Sequence, residues 1–265
     1  IDVIRDRRTF FRLYPEEYGP RLFELLGWEG GRGVKRFEHT AMTEGAPVLS
    51  VRDLHFPALP PMTFDIRRGE IAFLRDENYN TGRRLHECFL GDRGWTSGFF
   101  RLNGRLYQPG DLGRVIGSEI GIQIERPDRP GGVLFDNMTA LDNLCTSLIP
   151  KAGQHIIRKK IVSSILSEAL RWFPKEMLLQ PLSSWSYPER LRFSYYRWYL
   201  LNPRLLICFF PFAGQESTHH KMIIDLLVLC AQCGMAVWII SSGIDAICEK
   251  TDNEEFLRRL HYLNK

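Results

Sequence analysis

The sequence predicts an α/β protein with a mostly parallel core sheet, a small antiparallel β layer and a helical insertion. Three observations predict it. Residues 48 to 107 hold short alternating apolar and polar runs joined by glycine turns, the pattern of antiparallel strands. Residues from about 138 to 178 turn to helical periodicity. Beyond 204, apolar runs alternate with helical ones, the order of a parallel sheet covered by helices.

Residues 1 to about 46 are charged and aromatic, interrupted by Pro15, Gly27, Gly30, Gly31 and Gly33. RDRRTFFRLYPEEYGPRLFELLG is expected to supply one or two short helices and an arm ahead of the main domain, 47–265. VLSVRDLHF (48–56) alternates apolar and polar residues and predicts a strand. MTFDIRRGEIAFLR (62–75) predicts a strand, a turn at Arg68-Gly69, and a third, mostly apolar strand. FLRDENYNTGRRLHECFLG (73–91) then passes through a loop into a helix over roughly 82–90. SGFFRLNGRLY (97–107) predicts a hairpin turning at Asn103-Gly104, a dipeptide suited to positive φ. EIGIQIE (119–125) is a short strand and 126–133 a loop. The helical block is clearest in IIRKKIVSSILSEALRWF (156–173). Ser186-Tyr-Pro-Glu189 opens a helix to about Leu201. A strand at 204–212, a helix at 217–231, a strand at 236–242 and a last helical piece at 253–263 complete the chain. No internal repeat or low-complexity tract is present.

At 265 residues the chain is long enough for one large domain. Its composition, 44% hydrophobic and 25% charged, is that of an ordinary globular protein. A formal charge of +4 is too small to argue for nucleic acid. The cysteines, at 88, 145, 208, 230, 233 and 248, lie largely in apolar runs, which fits reduced, buried thiols of a cytosolic protein. The longest apolar run, around 205–213, is far too short to span a bilayer. The chain begins with Ile, and a piece of something longer is expected.

The collinear set of short motifs is more specific than any one of them. Gly69-Glu70-Ile71 is followed by the loop and helix ending Leu85 to Gly91, then by Ser97-Gly98-Phe99-Phe100-Arg101-Leu102-Asn103-Gly104. Gly121-Ile122 with Asp128-Arg129, Arg197-Trp198, Asn202-Pro203-Arg204-Leu205-Leu206-Ile207 and Ile239-Ile240-Ser241-Ser242 follow in order. Over about residues 48 to 245 this resembles the ATP-binding cassette of ABC transporters. More narrowly, it is similar to the second cassette of the double-cassette ATPases that power bacterial sugar import. IRDRRTFFRLYP (4–15) is similar to the linker that joins the two cassettes in that family. The resemblance implies a P-loop NTPase-like fold with a helical subdomain at about 138–195.

The residues of the chemistry depart from that family. A phosphate loop, G-x-x-x-x-G-K-S/T, gathers backbone amides, a Lys and a metal-binding hydroxyl around phosphate. Without gaps, its first Gly becomes Asp76, an inner Gly Tyr79, the last Gly Thr81, the Lys Gly82 and the hydroxyl residue Arg83, with Glu77, Asn78 and Asn80 between. An Asp beside the β-phosphate would introduce repulsion of order several kcal/mol if poorly screened. Slipping the register by one puts Gly82-Arg83 in place of Gly-Lys, but then Glu77 replaces the first Gly and Arg84 the hydroxyl. The Asp-Glu pair that organises magnesium and water at the end of the second catalytic strand is matched by Phe209-Phe210. The signature that opens a helix toward the partner's γ-phosphate is matched by Ser186, Tyr187, Pro188 and Glu189, where Ser186 and Glu189 form a capping box.

Phe56 is at the position of an adenine-stacking aromatic, with core packing as the plainer reading; Gln123 and Glu125 lie near the family's metal-and-permease loop but read equally as strand residues. Cys230-Ala-Gln-Cys233 lacks a second ligand pair, and His219-His220 lacks the spacing of a helical metal pair.

The expectation is therefore a degenerate cassette with no catalytic residue and no metal ligand of its own. It would need ATP and magnesium only if the slipped loop works. The resemblance implies an upstream cassette in the same polypeptide, membrane permease subunits as partners, no nucleic acid, and a peripheral place at the cytoplasmic face of a bacterial plasma membrane. An ATP-binding cassette using Arg83 and a non-transport interaction protein on the same scaffold are the competing readings.

Overall fold

The computed structural model describes residues 2–5, 8–12, 45–92, 94–125, 134–152, 159–213 and 217–263. The strands are β1 (Asp2–Arg5), β2 (Arg8–Arg12), β3 (Leu49–His55), β4 (Met62–Ile66), β5 (Ile71–Arg75), β6 (Ser97–Leu102), β7 (Arg105–Tyr107), β8 (Ile120–Ile124), β9 (Leu205–Phe209), β10 (Ala236–Ser241) and β11 (Leu260–Tyr262). The helices are α1 (Asn80–Leu90), α2 (Pro109–Leu112), α3 (Ala140–Ala152), α4 (Lys159–Ala169), α5 (Lys175–Leu178), α6 (Tyr187–Leu201), α7 (Ser217–Gln232), α8 (Asp245–Cys248) and α9 (Glu254–Arg259).

The apolar runs become the central sheet. Its order is β11-β5-β10-β9-β8, every neighbouring pair parallel. All residues of β9 and β10 are buried, because parallel strands covered on both faces need side chains that tolerate burial on each. The alternating segments instead form a four-stranded antiparallel layer, β4-β3-β6-β7. The β6–β7 turn has Asn103 at φ 48° and Gly104 at φ 78°, the paired positive values that a two-residue hairpin turn requires.

Three apolar clusters hold these layers together. Phe64, Phe100 and Trp238 fill the space between the antiparallel layer and the parallel sheet, with Leu85 and Phe89 of α1 among them. Ile71, Phe73 and Ile239 pack with Leu191, Tyr195 and Trp198 of α6 and with the apolar face of α7. The helical block has its own cluster around Leu144, Phe173 and Trp185, which Phe193 and Tyr196 of α6 join. One helix therefore belongs to two cores. Gly121 on β8 lets it lie close to the sheet, since a Cβ there would stand 2.9 Å from Trp198 Cε3.

The expected strands at 48–56, 62–75, 97–107, 119–125, 204–212 and 236–242 are present, the fifth ending at Phe209. The loop at 126–133, with Asp128 and Arg129, lies outside the described residues, as does 13–44 of the expected arm. At the amino end the described residues of the segment expected to supply one or two short helices and an arm, 5 and 8–12, are strand, and its remainder lies outside the described residues. β1 and β2 pair antiparallel there, consistent with the β-branched and aromatic residues of DVIR and RTFFR. The last helical piece is shorter than expected: α9 stops at Arg259, and Leu260–Tyr262 extends the sheet beside β5. Three residues are too few for periodicity to declare a strand; the open edge of β5 decides their state. Helix α1 starts at Asn80, two residues before the expected 82. Among the described residues no helix is long and apolar enough to cross a membrane.

Candidate functional site

The loop between β5 and α1 meets the ends of β9 and β10 at one edge of the sheet. Asp76 leaves β5 with its backbone N–H donated to the Ser241 carbonyl at 3.0 Å. Its side chain is buried, 5% exposed, and turns onto the start of α1. There Thr81 N–H donates to Oδ1 at 3.2 Å and Gly82 N–H to Oδ2 at 2.7 Å. The helix-capping residue itself, Tyr79, is left-handed at φ 57° and makes no side-chain cap bond. The carboxylate of Asp76 thus satisfies amides that the helix start leaves without partners, at its positive end.

Aromatic rings close the other side. The Tyr79 ring lies 4.7 Å from that of Phe210, at 62°. Its hydroxyl is 3.3 Å from Ser242 Oγ, on the chain leaving β10. Phe210 is left-handed at φ 54°, and its N–H donates to the Ile240 carbonyl at 2.9 Å. Gly82 has no room for a side chain, since a Cβ would meet Phe210 Cζ at 2.6 Å. Phe209, one residue earlier, is 1% exposed within the core.

The basic residues following the loop are engaged along the helix. Arg83 Nε is 3.9 Å and Arg84 3.2 Å from the Glu87 carboxylate, one turn on. Glu77, well exposed, has a carboxylate oxygen 3.9 Å from Arg75. Asn78 and Asn80 are exposed on the loop and first turn.

Ser186 caps α6, and the Glu189 carboxylate reaches back to accept from its N–H at 2.7 Å and its hydroxyl at 2.6 Å. Pro188 occupies the first turn, and the Tyr187 ring packs 5.1 Å from that of His219. The next residue, Arg190, pairs with Asp136 of the helical block. At the sheet face of the same helix, Gln123 is fully buried. It donates to Glu125 at 2.5 Å and to Ser194 Oγ at 3.0 Å, and accepts from Trp198 Nε1 at 2.8 Å. Gln123 therefore ties the strand end to α6.

Phe56 requires correction as a base-stacking candidate. It is 1% exposed and belongs to the core between the sheets, so neither ring face is free for an adenine. Cys230 in α7 and Cys233 just after it are buried free thiols, and burial pushes both up, Cys233 to about 11. His220 packs on Phe212 at 5.6 Å.

A triphosphate with its magnesium does not fit these residues. The amides at the helix start already carry a carboxylate, rings occupy the mouth, and the strand end offers phenylalanine where a metal needs oxygen. Among the described residues no three His, Cys, Asp or Glu side chains gather as a metal site. In the sequence Asp76 is legible only as a charge that would repel phosphate; its use as a remote cap depends on the fold. An acid just ahead of a helix start was the available signal.

No family model matches the chain. A putative ribose/galactose/methyl galactoside import ATP-binding protein of Pseudomonas syringae pv. tomato is 26% identical over 233 residues, 86% of this chain and 44% of that protein. The fructose import ATP-binding protein FruK of Bifidobacterium longum is 24% identical over 258 residues, 90% of this chain and 48% of that protein. The chain thus spans less than half the length of these two curated relatives. Among solved structures, cbiO1 of Clostridium perfringens, part of the ABC transporter complex cbiONQ, superposes with a TM-score of 0.62 at 19% identity, covering 82% of this chain and 85% of that one. A nucleotide-free ATP-binding cassette from an ABC transporter gives 0.58 at 15% identity, with 82% and 88% covered. This chain therefore has the fold of ABC transporter ATP-binding cassettes, and in sequence it is similar to ATP-binding proteins of sugar import systems.

Proposed function

We propose that this chain is the degenerate half of a double-cassette engine for carbohydrate import, a part that carries motion without hydrolysing ATP itself. The observation that carries this reading is the closed loop: a buried Asp76 carboxylate on the helix amides, with Tyr79 packed on Phe210 where the family places its acids. Hydrolysis by the family's route needs a carboxylate to orient water and another to hold magnesium. Neither phenylalanine at the β9 end can do either. At the degenerate signature the Glu189 carboxylate sits at the start of α6, opposing an incoming phosphate.

The relatives are about twice as long as the matched region, which supports an upstream cassette in the same polypeptide. The partners are then that cassette and membrane permease subunits, at the cytoplasmic face of a bacterial plasma membrane. Coupling would run through α6, which joins the sheet core to the helical block and is tied to β8 by Gln123. The competing reading, nucleotide binding through Arg83, would need that guanidinium to leave Glu87 and reach past Tyr79. Calorimetric titration of the chain with ATP and magnesium tests the proposal. No heat of binding is expected up to millimolar ligand; a micromolar Kd would overturn it. An active cassette would instead show stabilisation of about 2.7 kcal/mol at a hundredfold excess over its Kd.

A further inference from the structure

We infer that Asp76 is a built-in substitute for phosphate: the chain supplies its own anion to the loop, and the loop is held in a ligand-independent closed state by that contact. The inference rests on the reading above and deepens it, by stating how the site is kept shut.

Six contacts converge on the loop. The Asp76 carboxylate takes the Thr81 and Gly82 amides at 3.2 and 2.7 Å. Its own N–H is fixed to the end of β10 through the Ser241 carbonyl, and its carbonyl accepts from Tyr79 N–H at 3.4 Å. Tyr79 then bridges to Phe210 at the end of β9 and to Ser242 beyond β10. The ends of three neighbouring strands are thereby joined to the helix start without any ligand. A negative oxygen pair at the positive end of an eleven-residue helix is what a bound phosphate would present there. The carboxylate is 5% exposed, so this is not a surface side chain resting on a nearby amide.

The argument is one of charge and hydrogen bonding. Gly82 has no room for a Cβ beside Phe210 Cζ, and the Tyr79 ring packs on Phe210. Removing the carboxylate would leave the Thr81 and Gly82 amides to take the oxygens of an added anion.

The test compares the wild-type chain with Asp76→Ala and Asp76→Asn, using inorganic phosphate as the probe against chloride at equal ionic strength. Thermal unfolding gives Tm, and NMR-detected hydrogen exchange follows the Thr81 and Gly82 amides. In the wild type, phosphate is expected to move neither. In Asp76→Ala, Tm falls, the two amides exchange about tenfold faster, and phosphate restores both. Asp76→Asn keeps the shape but loses the charge, so it is expected to fall between the two and guards against a misfolded Ala variant. Unchanged amide exchange in both variants, or phosphate having no effect on either variant, would overturn the inference while leaving the wild-type ATP titration to decide the broader reading. ATP binding to the wild type would sink both.

Discussion

Phe209 and Phe210 follow one another yet do different work. Phe209 points into the core at 1% exposure, 5.6 Å from the His86 ring. Phe210 is turned out of the strand by a left-handed backbone, a conformation uncommon for a bulky residue, and its ring meets Tyr79. Phe209→Ala should therefore destabilise the fold by about 3–5 kcal/mol, the usual cost of emptying an aromatic core site. Tyr79→Ala, at a residue 47% exposed, should cost well under half of that. Urea unfolding of both variants measures the difference; equal losses would mean that the Tyr79–Phe210 pair is part of the core rather than a closure above it. Legibility at this scale is uneven. The Phe209-Phe210 pair was legible in the chain itself, but the hydrogen bonds of Asp76 were not, because they depend on where the helix begins.

Helix α6 shows what local sequence says of an element and what it leaves open. Ser186 and Glu189 announce its start, and the capping contacts are present. Glu189→Ala should cost about 0.3–1 kcal/mol, the usual worth of a carboxylate in a helix's first turn, measured by chemical denaturation with unchanged cooperativity. The far end is held differently. Trp198 donates to buried Gln123, and Gly121 gives the indole its space. Gly121→Ala should cost about 1–3 kcal/mol, because Trp198, Leu206 and Pro203 side-chain atoms all lie 2.9 to 3.1 Å from the new Cβ. A Gly121→Ala variant as stable as the wild type would show that α6 can shift on the sheet. Arg197, buried beside Trp198 with its guanidinium 4.5 Å from the indole centre, is pulled down to about 10 by desolvation.

Across the whole molecule, the cysteines report on the closed core. Burial pushes Cys88 and Cys233 up to about 11 from the ordinary 9.0. For thiols shifted this way the unfolded chain loses its protons first. Stability from these groups is complete below pH 9.0 and declines as pH rises toward 11. Stability measured by denaturant should fall over that window, and Cys88→Ser with Cys233→Ser should flatten the slope. At neutral pH a thiol reagent should modify the buried cysteines only at the rate of unfolding.

The alternation of apolar runs, the Asn103-Gly104 turn and the capping box determined most of the elements locally, and the order of motifs determined the cassette architecture. Local pattern suffices there because each element buries a face that its own periodicity defines. The state of Leu260–Tyr262, the burial of Phe56 and the role of Asp76 were decided only in three dimensions. Each depends on a partner far along the chain or across a turn: an open strand edge, a second sheet, a helix start with unfilled amides. A side chain's charge is written in the sequence, but whether it repels a ligand or replaces one is settled by what the fold places within 3 Å of it.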